Sequence, residues 1–326
     1  MIHFCTYFDR NYLSRGLVLY RSLVRHSPDF TLWVLCLDDE THIALTKLAA
    51  PQIKLIRLSE FEYGDQALLA AKANRSTVEY YFTCTPSLPL YVLKLAPDVE
   101  TITYVDADIM FFSTPAAVLE ELGQRSIGIV PHAFPPKLRA KEVYGRFNVG
   151  LLTFRNDATG RACLTQWREQ CLEWCYDRLE GDRFADQKYL DAWPERYDSV
   201  CAFENPGVLM APWNFMQFDV READGRPSVN GRALVFYHYQ GFKVVRPWLF
   251  DLGLGGYGAM RRGTRLLVYG PYVREIKKQE TWVAENLEPA AQRRGSLRSN
   301  PWRNRLRMLR NLMRGQIMVA PARFQL

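Results

Sequence analysis

Unbroken apolar runs and helically spaced apolar positions alternate along the first part of the chain. The runs IHFCTYF, TLWVLCLDD and IKLIRL have the pattern of strands that are buried on both faces. Between the first two runs, apolar residues recur at helical spacing: Leu13, Leu17, Leu19, Tyr20, Leu23 and Val24. The proline in HSPDF ends that helix, because proline cannot donate a backbone hydrogen bond. This alternation predicts an α/β fold in which helices cover a mostly parallel sheet.

The same alternation continues through the middle of the chain. LPLYVLKLA is predicted to be a helix, and TITYVDAD is predicted to be the strand that follows it. SIGIVPH and FNVGLLTFRN are two further predicted strands. A helix is predicted over residues 161–178, and ALVFYHY at 233–239 is a late strand. The sequence contains no internal repeat, so we expect one α/β domain.

Length and charge divide the chain into a domain and a basic tail. The 326 residues, 48% of them hydrophobic, suffice for one large core, and the pattern changes after about residue 275. Nine arginines and no acidic residue lie between Pro289 and Leu326, so the other residues carry a net charge of −2 out of a total of +7. We therefore assign residues 1–275 to the main domain and residues 276–326 to the tail.

The tail pattern predicts a basic amphipathic helix at the C-terminal end. One stripe at helical spacing is apolar: Trp302, Leu306, Leu309 and Met313. The stripe beside it is basic: Arg303, Arg307, Arg310 and Arg314. Such a helix suits the surface of an anionic membrane. The alternatives are a helix packed on the domain and an unstructured basic end.

Composition disfavours several classes of protein. No apolar run approaches the roughly 18 residues of a membrane-spanning helix, and Met1 opens no secretory signal pattern. The seven cysteines lie in apolar or helical patterns, as expected of reduced thiols. The main domain lacks the basic and aromatic pattern of a nucleic-acid surface. We expect a cytoplasmic protein that is peripheral on the inner face of the cytoplasmic membrane.

Two aspartates follow the strand TITYV at the point where its carboxyl end should meet ligands. Asp106 and Asp108 are two positions apart and point to the same side. Two converging carboxylates raise each other's pKa unless a cation lies between them. Hard oxygen ligands suit Mg²⁺ or Mn²⁺. A solvated turn, or the aspartyl-phosphate site of a phosphatase, would be the alternative, but the Gly-Thr or Gly-Val that usually follows the phosphatase pair is missing.

Several ordered blocks in roughly residues 1–250 resemble the metal-dependent glycosyltransferases of family 8, which include glycogenin and bacterial lipooligosaccharide galactosyltransferases. The blocks are FDRNYL, YVDADIMFF, FNVGLLTFRN, FADQKYLDAW and FYHYQGFK. The resemblance implies a GT-A-type, Rossmann-like nucleotide-diphospho-sugar transferase domain. It also implies that residues 1–275 are the catalytic domain.

The resemblance assigns roles residue by residue. His238 would complete the metal site of Asp106 and Asp108, and Asp186 with Gln187 would lie beside the anomeric carbon. The other implied substrate contacts are Thr6, Asp9, Asn11, Asp106, Ala107, Asn148, Gly150, Gly241 and Lys243. From the residues alone, His238 is either a ligand or a satisfied core imidazole, and Asp186 is either a site acid or a helix N-cap.

The sequence departs from the family pattern at the residues that are expected to bind the diphosphate. Family members commonly carry an arginine on the helix before the metal strand, whereas this helix reads TPSLPLYVLK. Lys72 and Arg75 lie slightly earlier and are the candidates to replace it; a solvated helix face is the alternative. The spacing between His238 and Lys243 is also shorter than the family pattern.

These observations predict the transfer of a hexose from a nucleotide-diphosphate sugar, with UDP implied by the resemblance, to a saccharide or lipid-linked saccharide. The resemblance implies retention of the anomeric configuration, with Mn²⁺ or Mg²⁺ as cofactor. A sugar-nucleotide pyrophosphorylase is the enzymatic alternative, but TYFDRNYL lacks the glycine-rich loop that it needs. The second alternative is a non-catalytic, membrane-associated protein that binds nucleotide sugars.

Overall fold

The computed structural model describes residues 1–287 and 315–320. Its strands are β1 (Ile2–Phe8), β2 (Phe30–Cys36), β3 (Ile53–Arg57), β4 (Thr101–Val105), β5 (Ile109–Phe111), β6 (Ile127–Pro131), β7 (Phe147–Arg155), β8 (Val200–Ala202), β9 (Val220–Ala223), β10 (Arg226–Val229), β11 (Arg232–Ala233), β12 (Phe236–His238), β13 (Lys243–Arg246), β14 (Leu249–Asp251) and β15 (Ile317–Val319).

Helices fill most of the connections between these strands. They are α1 (Leu13–His26), α2 (Asp39–Leu48), α3 (Leu58–Glu62), α4 (Gln66–Ala73), α5 (Thr77–Leu95), α6 (Ala116–Leu122), α7 (Ala158–Glu173), α8 (Trp193–Arg196), α9 (Pro206–Leu209) and α10 (Arg262–Asn286). Four 3₁₀ helices within the described ranges span Arg10–Tyr12, Pro136–Tyr144, Lys188–Ala192 and Phe215–Gln217.

Seven strands form the central sheet, in the order β3-β2-β1-β4-β7-β6-β8. Neighbouring strands are parallel except at β7, which runs antiparallel to β4 and β6. The predicted α/β fold with a mostly parallel mixed sheet is therefore confirmed. Because β1 and β4 are parallel neighbours, Asp9 and Asp106, which follow them, lie at the same edge of the sheet.

Helices bury both faces of this sheet. Phe4 of β1 packs in a cluster with Leu17 of α1 and Leu45 of α2, while Cys5 packs in the cluster on the other face with Trp167 of α7. Consecutive strand residues are therefore both buried, which explains the unbroken apolar runs. Burial of one such large side chain stabilises the fold by about 1.5–3 kcal/mol.

Helix α5 begins earlier than the sequence pattern predicted. Ser76 caps it, since its hydroxyl accepts from the backbone N–H of Glu79 while the Glu79 carboxylate accepts from the backbone N–H of Ser76. Pro86 and Pro89 lie inside the helix. The prediction of a helix at LPLYVLKLA therefore covers only its second half.

Part of the predicted tail packs on the domain. Helix α10 continues through residues 275 and 276, with Ile276 and Gln279 buried. Strand β15 pairs antiparallel with β14. The predicted amphipathic helix, with its apolar stripe from Trp302 to Met313, lies outside the described residues. Across residues 1–287 and 315–320, no helix combines the length and apolar composition needed to cross a bilayer.

Candidate active site around Asp106, Asp108 and His238

Asp106 and Asp108 occupy a tight turn between β4 and β5. The backbone N–H of Ile109 donates to the Asp106 carbonyl at 3.2 Å, and the N–H of Asp106 donates to the Gly150 carbonyl at 2.8 Å. The hydroxyl of Tyr104 donates to Asp106 Oδ1 at 2.7 Å and orients this carboxylate. Asp108 is only 8% exposed. The Asp106 side chain is 31% exposed, but both aspartates are held by the sheet edge and do not form a freely solvated turn.

His238 reaches the two aspartates through strand pairing. β12 runs antiparallel to β5, with His238 opposite Ile109. The imidazole Nε2 lies 3.1 Å from Asp108 Oδ1 and 3.5 Å from Asp106 Oδ2. Strands that are distant in sequence thus bring together the three residues assigned to the metal.

Asn148 fixes the orientation of the His238 ring. Its Oδ1 accepts from the backbone N–H of Gly150 at 2.8 Å and lies 3.2 Å from His238 Nδ1. An oxygen acceptor here requires the proton on Nδ1, which leaves Nε2 facing the carboxylates. A Cβ on Gly150 would lie 2.5 Å from His238 Nδ1, so only glycine leaves room for the ring.

The electrostatics of the three groups reflect their burial. Burial raises the pKa of Asp106, with the charge of Asp108 adding to this effect. Burial acts in the same direction on Asp108, but the charges of His238 and Arg15 outweigh it and lower the pKa of Asp108. The pKa of His238 is raised because the carboxylates outweigh the opposing effect of its burial. The two carboxylates thus favour a positive charge at this point of the site.

The chemistry of this cluster fits a divalent cation. One ligand atom each from Asp106, Asp108 and His238 all lie within 4.8 Å of one another. Carboxylate oxygens suit Mg²⁺ or Mn²⁺, and three protein ligands leave coordination positions for phosphate oxygens.

Asp186 and Gln187 lie next to this cluster. The Asn148 side-chain amide donates to Gln187 Oε1 at 3.5 Å, and the Asp186 carbonyl accepts from Trp167 Nε1 at 2.8 Å. Burial raises the pKa of Asp186 to about 7, and the charge of Asp106 adds to the rise. Asp186 is not a helix N-cap, because the 3₁₀ helix that follows has Gln187 in that position.

The predicted nucleoside residues lie at the end of β1. Asp9 caps the 3₁₀ helix Arg10–Tyr12, and its Oδ2 accepts from Asn11 Nδ2 at 2.9 Å. Thr6 is fully buried within β1, where it lies opposite Val34 of β2. Ala107 lies between the two aspartates and is 6% exposed.

Lys72 and Arg75 have hydrogen-bond or ion-pair partners that are not residues of the metal cluster. Lys72 Nζ pairs with Glu62 at 2.7 Å and lines a separate cleft of about 270 Å³ near the carboxyl ends of β2 and β3. Arg75 donates to Thr83 Oγ1 at 2.6 Å and to the Leu172 carbonyl at 2.7 Å. These contacts give both side chains structural partners, and their role at the diphosphate stays a prediction.

Gly241 and Lys243 lie in the turn between β12 and β13. Gly241 has a φ of +78°, which favours glycine. Lys243 is exposed at the first position of β13. The turn is tied to the metal cluster, because the N–H of Tyr239 donates to the Asp108 carbonyl at 2.9 Å.

Three neighbours of the site were not predicted from the sequence. Arg15 donates from α1 to the carbonyl of Phe242, next to the predicted diphosphate residues. The indole of Trp213 packs edge-on against His238 at 5.4 Å, and His132 packs against Trp213 at 5.1 Å. Burial lowers the pKa of His132 to about 3. Only for Arg15 was a signal available, since it directly follows the nucleoside block on a strand-to-helix connection.

The fold of this chain is similar to that of a glycosyltransferase of known structure. The galactosyltransferase LgtC, solved in complex with donor and acceptor sugar analogs, superimposes with a TM-score of 0.51 at 16% sequence identity, over 89% of this chain and 98% of LgtC. The chain thus has the GT-A-type fold of the family 8 glycosyltransferases, and the predicted resemblance is confirmed at the level of the fold.

Sequence comparison places the chain among closer relatives. It is 31% identical to the uncharacterized protein YfnD of Bacillus subtilis (strain 168) over 286 residues, which are 87% of this chain and 90% of YfnD. It is 32% identical to the uncharacterized protein YfnF of the same organism over 250 residues, which are 74% of this chain and 82% of YfnF. No protein-family model matches. The chain belongs to the family of YfnD and YfnF.

Proposed function

We propose that this protein is a metal-dependent glycosyltransferase that moves a hexose from a nucleotide-diphosphate sugar to a saccharide or lipid-linked saccharide. The observation that carries the proposal is the convergence of Asp106, Asp108 and His238 at the carboxyl edge of the sheet. That edge is where α/β folds bind their ligands. The fold shared with LgtC supports the same class, and the resemblance supports UDP as the nucleotide.

The three side chains would hold Mn²⁺ or Mg²⁺. When bound, such a cation supplies Lewis-acid neutralisation of a departing diphosphate. The protein's own contribution is orientation, since Tyr104 holds Asp106 and Asn148 holds the ring of His238. Groups fixed in this way need no reorganisation while charge develops on the leaving oxygen.

The proposed transfer exchanges one bond at the anomeric carbon for another. The bond from C1 to the diphosphate oxygen breaks, a bond from C1 to an acceptor hydroxyl oxygen forms, and the acceptor proton is released. The resemblance supports retention of configuration. Asp186 and Gln187 are the proposed groups beside C1, acting either as a nucleophile or as stabilisers of attack on the leaving-group face. The contact of Gln187 with Asn148 and the effect of the Asp106 charge on Asp186 support this assignment.

The substitution Asp108→Asn tests the proposal. A panel of nucleotide sugars is screened for Mn²⁺-dependent hydrolysis, and at least one should be cleaved by the unsubstituted protein. Asp108→Asn should lower that rate by roughly 100-fold or more, because it removes a direct metal ligand. The matched control is Asp98→Asn, an exposed aspartate at the opposite end of β4, which should leave the rate unchanged.

The other outcomes either contradict the role of the metal or favour a different function. Full activity in Asp108→Asn would refute the role of the metal. Mn²⁺-dependent binding of UDP without hydrolysis or transfer would favour a non-catalytic nucleotide-sugar-binding protein. Formation of a nucleotide sugar from a nucleoside triphosphate and a sugar phosphate would identify a pyrophosphorylase.

A further inference from the structure

We propose that Arg15 is the side chain that binds the diphosphate of the donor, in the place of the arginine that the helix before β4 lacks. This inference rests on the proposed function. Arg15 lies in the first turn of α1, directly after the 3₁₀ helix Arg10–Tyr12. It therefore stands at the same edge of the sheet as the metal cluster.

The guanidinium of Arg15 joins two segments of the site. Its Nη1 donates to the carbonyl of Asn11 at 3.2 Å, and its Nη2 donates to the carbonyl of Phe242 at 3.0 Å. Asn11 belongs to the predicted nucleoside block. Phe242 lies between Gly241 and Lys243, the predicted diphosphate residues. The guanidinium thus lies between the nucleoside and the diphosphate sides of the site.

Short backbone hydrogen bonds connect this position to the metal cluster. The N–H of Phe242 donates to the Tyr239 carbonyl at 3.0 Å, and the N–H of Tyr239 donates to the Asp108 carbonyl at 2.9 Å. The positive charge of Arg15 also acts on the carboxylate of Asp108. A diphosphate bound at the cluster would therefore lie within the field of Arg15.

Arg15 retains capacity for an anion. Two other arginines near or on α1 pair with carboxylates at 2.7 Å, Arg10 with Glu40 and Arg25 with Glu275. In the described part of the chain, no carboxylate forms an ion pair with Arg15. Its two carbonyl bonds use two of the five N–H donors of a guanidinium. The guanidinium also lies over the Tyr12 ring, 4.4 Å from its centroid, and a ring contact uses none of the remaining N–H donors. Guanidinium N–H groups are suited to phosphate oxygens.

The test compares binding of UDP and uridine by calorimetry in the presence of Mn²⁺. Arg15→Gln should weaken UDP binding by about 10- to 100-fold, the usual range for hydrogen bonds to a charged group. Uridine binding should change by less than about twofold. Arg15→Lys keeps the charge without the fork and should bind UDP with intermediate affinity. Arg21→Gln, on the same helix with its guanidinium over Tyr20, is the matched control and should behave as the unsubstituted protein.

The outcomes separate this inference from the proposed function. Unchanged UDP affinity in Arg15→Gln, or equal losses for UDP and uridine, would overturn the role of Arg15 alone. Equal losses would identify a purely structural contact with Asn11. If Arg15→Gln does not fold, a selective loss of UDP affinity in Arg15→Lys still supports the inference, and no loss overturns it. Absence of UDP binding by the unsubstituted protein would overturn this inference and the choice of UDP as the nucleotide, whereas the screen of nucleotide sugars tests the transferase function separately.

Discussion

Asp186 is a residue whose ionisation should respond strongly to folding. Its carboxyl is 5% exposed, and burial raises its pKa to about 7, against an unfolded value of about 3.9. Folding therefore favours the protonated form. The stabilisation from this proton is fully present below about pH 4 and is lost as the pH rises through about 7.

Asp186→Asn should remove this pH dependence, because an amide cannot ionise. Between pH 5 and pH 8, the unsubstituted protein should lose on the order of 2 kcal/mol of unfolding free energy relative to the variant. Urea unfolding at each pH measures the difference in unfolding free energy between the two proteins. EDTA in the buffer removes divalent cations, which would favour the ionised form of Asp186. Parallel pH profiles for the two proteins would show that Asp186 is already ionised in the fold.

At the level of single residues, the sequence predicted what depends on local pattern. Asp106 and Asp108 could be identified from their place after an apolar strand. The choice between ligand and core imidazole for His238 could not be made locally, because the contact depends on the pairing of β12 with β5. Arg15 could not be identified locally either, because its contact with the Phe242 carbonyl depends on how α1 packs against the turn after β12.

At the level of elements, Arg75 links two helices that cover the sheet. It precedes α5 and donates both to Thr83 within α5 and to the Leu172 carbonyl in the last turn of α7. A cation there also complements the negative end of the α7 dipole. Arg75→Ala should therefore lower the free energy of unfolding by about 1–3 kcal/mol, measured by urea denaturation, and leave Mn²⁺-dependent UDP affinity unchanged.

Arg196→Ala is the matched control, because Arg196 is an exposed residue at the end of α8. Its loss should change unfolding free energy by no more than about 0.5 kcal/mol. A selective loss of UDP affinity in Arg75→Ala, with unchanged stability, would instead return Arg75 to the diphosphate role predicted from the sequence.

The bounds of a helix or strand could be predicted from the sequence where one local pattern marked its end. β1 is predicted to the residue, since the polar segment after Phe8 ends the apolar run. The first half of α5 was not predicted, although the capping-box pattern from Ser76 to Glu79 marks the true start. The antiparallel course of β7 was not predicted, because strand direction depends on the path of the whole chain.

At the level of the whole molecule, the carboxyl-terminal segment is tied to the domain at two places. Trp282 and Val283 of α10 pack against the cluster around α1 and α2, and β15 extends the sheet of β13 and β14. Removal of residues 289–326 would therefore also remove a strand that packs on the domain. A test of membrane binding has to change the tail charges without deleting β15.

Replacement of Arg303, Arg307, Arg310 and Arg314 by glutamine meets that requirement. If the arginine stripe binds anionic membranes, each charge contributes about 1 kcal/mol near the surface, so the quadruple variant should bind phosphatidylglycerol-containing vesicles on the order of 1,000-fold more weakly. Vesicle sedimentation measures this, and donor hydrolysis should be unchanged. The control neutralises four exposed basic residues of the domain, Lys54, Arg139, Arg196 and Arg232. Equal losses in both variants would point to non-specific charge attraction, and full binding by the tail variant would exclude the stripe as the membrane contact.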